Sequence, residues 1–182
     1  METFAEKLRG RHGGFSAAPG AVHFRQIHAP DVDEIMTIEQ ASFAFPWSPR
    51  FFLQELRVPC ARSLLALLGG KAVGYIIYWL LPGEVDIHNL AVHPAHRRQG
   101  IATSLLRQVI EEAKRNASTR VTLEVRKSNE AAQRLYHSLG FEARGIRQGY
   151  YSDDGEDALA MILEFDIQLP PKASDEHPVG IK

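Results

Sequence analysis

Apolar and polar residues follow two rhythms along this chain. Some stretches alternate with a period of two, the spacing of a strand with one buried face. Others repeat every three to four residues, the spacing of an amphipathic helix. Residues 22–28 read as a strand. Residues 30–43 read as a helix opened by an Asp31-x-x-Glu34 capping box, with Val32, Ile35, Met36 and Phe43 inward and Glu39 falling among them. Phe45-Pro46-Trp47 breaks that helix. Ser48 caps a second one, with Pro49 in its first turn, and it must end before Pro59. Strands are predicted over 62–68, 72–81 and 84–92, linked by Gly69-Gly70 and Pro82-Gly83 turns. A loop over 93–99 leads to a helix over 100–115, with Ile101, Leu105, Val109 and Ala113 on one face. Residues 120–126 alternate as a strand, Val121, Leu123 and Val125 against Thr122 and Glu124. A helix over 129–139 ends at Gly140 as its left-handed cap. Strands over 141–147 and 158–165 close the pattern, separated by the acidic turn 153–157.

Seven strands and four helices in this order predict an α+β, or mixed α/β, domain around one central sheet, spanning about 21–167. Residues 1–20, with four glycines and a proline, read as a flexible arm, and 168–182, with three prolines, as a disordered tail. With 182 residues the chain suits a single folded domain. Its one cysteine, Cys60, excludes an internal disulfide framework. The net charge of -1 gives no reason to expect direct nucleic-acid binding. The longest apolar run, 75–81, is far short of the ~20 residues of a membrane span. No apolar stretch follows Lys7, Arg9 and Arg11, so no secretory signal is read and a cytoplasmic location is expected.

The strongest local chemistry is Arg97-Arg98-Gln99-Gly100-Ile101-Ala102, at the junction of an apolar strand and an amphipathic helix. A helix N-terminus offers free N–H groups and a positive dipole end, and small residues at 100 and 102 admit a ligand close to the backbone. That combination suits a phosphate or pyrophosphate. It is neither a Walker loop nor a dinucleotide fingerprint, since the Gly-Lys-Ser/Thr and the three spaced glycines are absent. Cys60 has no activating neighbour in sequence and reads as a small packing residue. His88, His93 and His96 straddle a strand end and a proline loop without an acidic or cysteine partner, so no metal is expected.

Leu90-Ala91-Val92 followed by Arg97-Arg98-Gln99-Gly100-Ile101-Ala102 resembles the acetyl-CoA motif of the GNAT N-acetyltransferases, Arg/Gln-x-x-Gly-x-Gly/Ala. Ala102 stands at the position usually held by a second glycine. The stretch Leu123-Glu124-Val125-Arg126-Lys127-Ser128-Asn129 and the later Leu135-Tyr136-His137-Ser138-Leu139-Gly140-Phe141 fit the same family in order and spacing. Phe45-Pro46-Trp47-Ser48 and Tyr150-Tyr151 narrow the resemblance to the branch that acetylates the N-terminal alanine of a small-subunit ribosomal protein.

The resemblance implies a mostly antiparallel sheet with acetyl-CoA threaded between its fourth and fifth strands. The pantetheine arm would pair with Leu90, Ala91 and Val92. The pyrophosphate would rest on amides from Arg98 through Gln99, Gly100, Ile101 and Ala102 to Thr103, beside Arg97. Asn129 would lie near the thioester, Glu124 would act as general base and Tyr136 as general acid. Glu39, Phe45, Trp47, Tyr150 and Tyr151 are the candidates for contact with the substrate, an N-terminal peptide.

Elementary chemistry fits those roles. A thioester is already activated, so the reaction needs a neutral amine, correct placement and a proton for the departing thiolate. An α-amino group is roughly 10–15% neutral at pH 7, whereas a lysine is neutral about 0.04% of the time. A modest base such as a glutamate is therefore better matched to an N-terminus. A GNAT enzyme acting on lysines or small amines, and a non-catalytic acyl-CoA-binding regulator, are the alternative readings.

Overall fold

The computed structural model describes residues 21–165, so the arm expected over 1–20, the last two residues of the expected domain and the tail expected over 168–182 lie outside the described residues. In chain order the elements are β1 (Val22–Arg25), α1 (Val32–Ser42), α2 (Pro49–Glu55), β2 (Ala61–Leu68), β3 (Lys71–Leu81), β4 (Glu84–Val92), α3 (Ile101–Arg115), β5 (Arg120–Arg126), α4 (Glu130–Ser138), β6 (Glu142–Arg147) and β7 (Ala158–Glu164). The strands form one seven-stranded sheet in the order β1-β2-β3-β4-β5-β7-β6. Every pairing is antiparallel except β4 with β5. A parallel pair needs a crossover, and α3 supplies it. None of the described helices is long and apolar enough to cross a membrane.

The sheet separates two cores. On one face α3 buries Ile101, Leu105, Leu106, Val109, Ile110 and Ala113 against Ile76, Tyr78, Val85, Ile87, Val121, Leu123 and Val125. Each large aliphatic side chain buried this way contributes roughly 1.5–3 kcal/mol. Tyr136 and Phe141 extend this core under α4. On the other face Val32, Ile35 and Ile38 of α1 and Phe52 of α2 pack on Leu65, Tyr75 and Ile77. Gly69 and Gly70, both at positive φ, make the two-residue turn between β2 and β3.

The structure corrects several details of the sequence reading. β1 ends at Arg25, short of residue 28, because Arg25 turns to a bidentate ion pair with Asp31. The capping box sits one turn earlier than expected. Asp31 accepts from the His28 amide at 2.7 Å and closes a 3-10 turn over Ala29–Asp31, while Glu34 reaches across to the Ala72 amide at 2.9 Å. Ile38, not Phe43, completes the inner face of α1. Phe43 adopts an extended conformation at the helix end and is 37% exposed. Ser48 occupies the cap of α2 without a side-chain hydrogen bond.

Candidate active site

β4 and β5 pair only over Glu84↔Arg120, Val85↔Val121, Asp86↔Thr122 and Ile87↔Leu123. Beyond that rung the strands part. Asn89, Leu90, Ala91 and Val92 keep β3 as their neighbour, and Glu124, Val125 and Arg126 keep β7. The facing edges therefore form a wedge with no strand between them among the described residues. A ligand carrying amide groups can pair with such an edge as a strand would.

At the wide end of the wedge, β4 runs into the 97–103 segment. Arg97 Nε donates to Val92 O at 3.0 Å, which ties the loop back to the strand. Arg98 and Gly100 both have positive φ, 63° and 77°. The first main-chain bond of α3 runs from the Ser104 amide to Gly100 O at 2.9 Å, so the amides of Ile101, Ala102 and Thr103 emerge from the open end of the helix. Gly74 makes this approach possible from below. A Cβ there would stand 3.0 Å from Ala91 O and 3.1 Å from Val92 Cγ2. The sequence reading missed Gly74, because its requirement comes from two segments remote from it in the chain.

The first open rung carries the polar cluster. Glu124 has a side chain 16% exposed, and Arg147 of β6 holds its Oε1 at 3.0 Å. Burial pushes the Glu124 carboxyl up, Asp86 adds to that, and Arg147 and His88 oppose it. The net position is above the usual glutamate value. Burial also acts on Asp86, but contacts from His88 and Thr122 outweigh it and leave that carboxyl low. Thr122 donates to Asp86 at 2.8 Å. His88 is the extra residue of a β-bulge, since Ile77 faces Asn89 and the next residue, Tyr78, faces Ile87. Its Nε2 lies 3.4 Å from Asp86, and its ring stacks on Trp79 at 4.4 Å. The structure thus takes His88 away from His93 and His96, which sit together near the 97–103 loop with ring centroids 5.9 Å apart.

Tyr136 is 7% exposed, against Phe141 at 5.8 Å. Burial, aided by Tyr151, pushes its hydroxyl well above the ordinary phenol range, so it is protonated at neutral pH. Asn129 acts locally as a helix cap, its side chain accepting from the Ala132 amide at 3.1 Å at the start of α4. The β6–β7 connection brings two tyrosines to the same region. Tyr150 is 45% exposed and raised by burial and by the Glu124 charge. Tyr151 lies over the Arg126 guanidinium at 3.8 Å, and burial pushes its hydroxyl up to about 12. The acidic turn does not stand free. Arg126 pairs with Asp153, with Asp154 at 2.9 Å and with Glu156 at 3.1 Å.

Glu39 is fully buried and joins three elements. It accepts from the Trp47 amide at 2.9 Å, from Asn89 Nδ2 at 2.8 Å and from the Tyr75 hydroxyl. Trp47 packs inward on Phe52 at 5.5 Å, while Phe45 stands out, 59% exposed. Of the two aromatic candidates, Trp47 is partly buried by this packing and Phe45 is exposed.

Residues 32–141 match the Acetyltransferase (GNAT) family. The [Ribosomal protein bS18]-alanine N-acetyltransferase of Escherichia coli K12 is 36% identical over 139 residues, covering 75% of this chain and 93% of that protein. The N-alpha-acetyltransferase RimI of Mycobacterium tuberculosis is 39% identical over 120 residues, covering 64% of this chain and 74% of its own. The crystal structure of the ribosomal-protein-S18-alanine N-acetyltransferase from Escherichia coli superposes with a TM-score of 0.75 at 32% identity, covering 84% and 98% of the two chains. A seven-stranded sheet parted beside an open helix end, with this breadth of likeness, places the chain in the acetyltransferase (GNAT) family.

Proposed function

We propose that the protein transfers the acetyl group of acetyl-CoA to the α-amino group of an N-terminal alanine, that of ribosomal protein bS18. The relatives named for that reaction support the substrate. The observation that carries the mechanism is the parting of β4 and β5 with Glu124 at its first open rung. The edge of Leu90, Ala91 and Val92 suits the pantetheine amides, and the amides from Arg98 to Thr103 suit the pyrophosphate. Acetyl-CoA supplies an acyl group that needs no covalent activation.

The residues of the chain place the amine and manage its protons. Glu124 accepts a proton from the attacking nitrogen, and Tyr136 donates one to the departing sulfur. Phe45 and Tyr150, both exposed, offer apolar contact to the first peptide residues. The test is a peptide with the bS18 N-terminal sequence and an internal lysine, incubated with acetyl-CoA and read by mass spectrometry. Acetylation at the α-amine alone is expected. Acetylation at the lysine alone, or none on any N-terminal peptide, overturns the assignment.

A further inference from the structure

An ammonium group must lose two protons to become an amide nitrogen, one before it attacks and one afterwards. A single carboxylate held by Arg147 provides one acceptor. The rung at which the strands part carries a second candidate on the opposite strand. Asp86 lies against Thr122, and Thr122 and Glu124 share one face of β5. His88 reaches back to Asp86, so it projects from the same face of the sheet as Glu124.

The orientation of His88 is fixed from three sides. Its Nε2 faces Asp86 at 3.4 Å. Its ring lies on Trp79, and the indole of Trp79 is itself held by Glu55 at 2.7 Å. The bulge at His88 sets the ring at the strand's point of departure. Nε2 stands within ion-pair distance of Asp86, and among the described residues Nδ1 makes no ion-pair contact. The charged and titratable groups around it are Asp86 on its own strand, Glu124 on β5, Arg147 on β6, Tyr150 on the β6–β7 loop and, through Trp79, Glu55 on α2. A carboxylate that holds one imidazole nitrogen leaves the other free to accept a proton.

We propose that the Asp86–His88 pair takes the first proton of the incoming peptide ammonium, leaving Glu124 to take the second; this rests on the α-amine acetylation proposed above. In the first step an N–H bond of the ammonium breaks, its electron pair stays on nitrogen, and the proton passes to His88 Nδ1. Asp86 steadies the imidazolium until solvent removes that proton. The amine then forms the C–N bond as the C–S bond breaks. Its second proton goes to Glu124, Tyr136 protonates the sulfur, and the Glu124 proton returns to the Tyr136 oxygen through solvent. One proton is released per turnover.

The α-amine chemistry sets the size of the effect. Roughly 10% of α-amino groups are already neutral at pH 7 and nearly all above pH 9, so a local acceptor is worth about tenfold at pH 7 and almost nothing at pH 9.5. The experiment compares His88→Gln and Asp86→Asn with wild type on an N-terminal alanine peptide from pH 6.5 to 9.5, with acetyl-CoA affinity measured by calorimetry. The expected result is a kcat/KM about tenfold below wild type at pH 7, converging to within twofold at pH 9.5, with coenzyme affinity unchanged. A deficit that stays constant across the pH range, or none at pH 7, overturns this role while leaving the acetylation reading intact. A wild-type protein inactive on every N-terminal peptide overturns both.

Discussion

Arg147 on the edge strand β6 reaches past β7 to hold Glu124 of β5, nitrogen to oxygen, at 3.0 Å. The contact opposes the burial that raises the Glu124 carboxyl. Removing the guanidinium with Arg147→Gln is therefore expected to move the Glu124 titration further up. The acid limb of the pH–rate profile should shift to higher pH in that variant. A limb at the wild-type position would show that Glu124 does not control it.

Glu124→Gln tests the base directly. Activity at pH 7 should fall by about 10²–10⁴-fold, the range for a positioned acid–base group. The stability effect has the opposite sign. A carboxyl raised in the folded state favours folding only below its unfolded titration and loses that contribution as pH rises through its folded one. At pH 7 the ionised side chain is thus a small burden, partly screened by solvent, and the variant should melt no lower than wild type. A kinetic assay paired with thermal melts at pH 7 reads both.

Tyr136→Phe keeps the ring that packs on Phe141 and removes only the hydroxyl. kcat should fall while acetyl-CoA affinity stays within about twofold, because the lost interaction belongs to the transition state. Burial already carries the phenol titration upward, so the neutral and mildly alkaline part of the pH–rate profile should keep its shape. Equal kcat in the two proteins would leave Tyr136 as a packing residue.

Gly74→Val pushes two further carbons beyond a Cβ that would already lie 3.0 Å from Ala91 O and 3.4 Å from Ile101 Cγ2. Overpacking of this kind costs about 1–3 kcal/mol. It should also lift the start of α3 from β4 and weaken coenzyme binding, although residue 74 lies outside the 97–103 motif. Denaturant melts and calorimetry with acetyl-CoA check the two effects together. Full stability with normal affinity would show that the helix end adjusts freely.

Glu39→Ala leaves the Trp47 amide, Asn89 and Tyr75 without their shared acceptor. Stranding buried donors costs about 1–3 kcal/mol for each group. The Phe45–Trp47 corner should loosen, with peptide KM rising more than acetyl-CoA KM. Equal rises in both would assign Glu39 to general stability alone.

The elements that frame the wedge were legible in the chain. Residues 84–92 and 120–126 read as strands with their observed limits, because alternation is strict over 120–126 and the Pro82-Gly83 turn marks the start of 84–92. Gly140, at φ 92°, ends α4 as its neighbours required. The losses came from long-range partners. Asp31 serves Arg25 and His28 instead of the α1 terminus. Arg126 gathers the acidic turn onto itself. The meeting of Asp86, His88 and Glu124 depends on the register between strands separated by a whole helix, and no local pattern encodes it.

Only four rungs join the β1–β4 half of the sheet to the β5–β7–β6 half. The unpaired edges beyond them are main-chain groups that exchange hydrogen with solvent, and coenzyme bridging the wedge would slow that exchange on both strands at once. Amide protection at residues 89–92 and 124–126 thus becomes a direct gauge of occupancy. At a hundredfold excess over Kd the same bridge would add about 2.7 kcal/mol to the folded state. Bound cosubstrate would then act as a mechanical tie between the two halves, and the melting temperature of the protein would rise with the concentration of acyl donor.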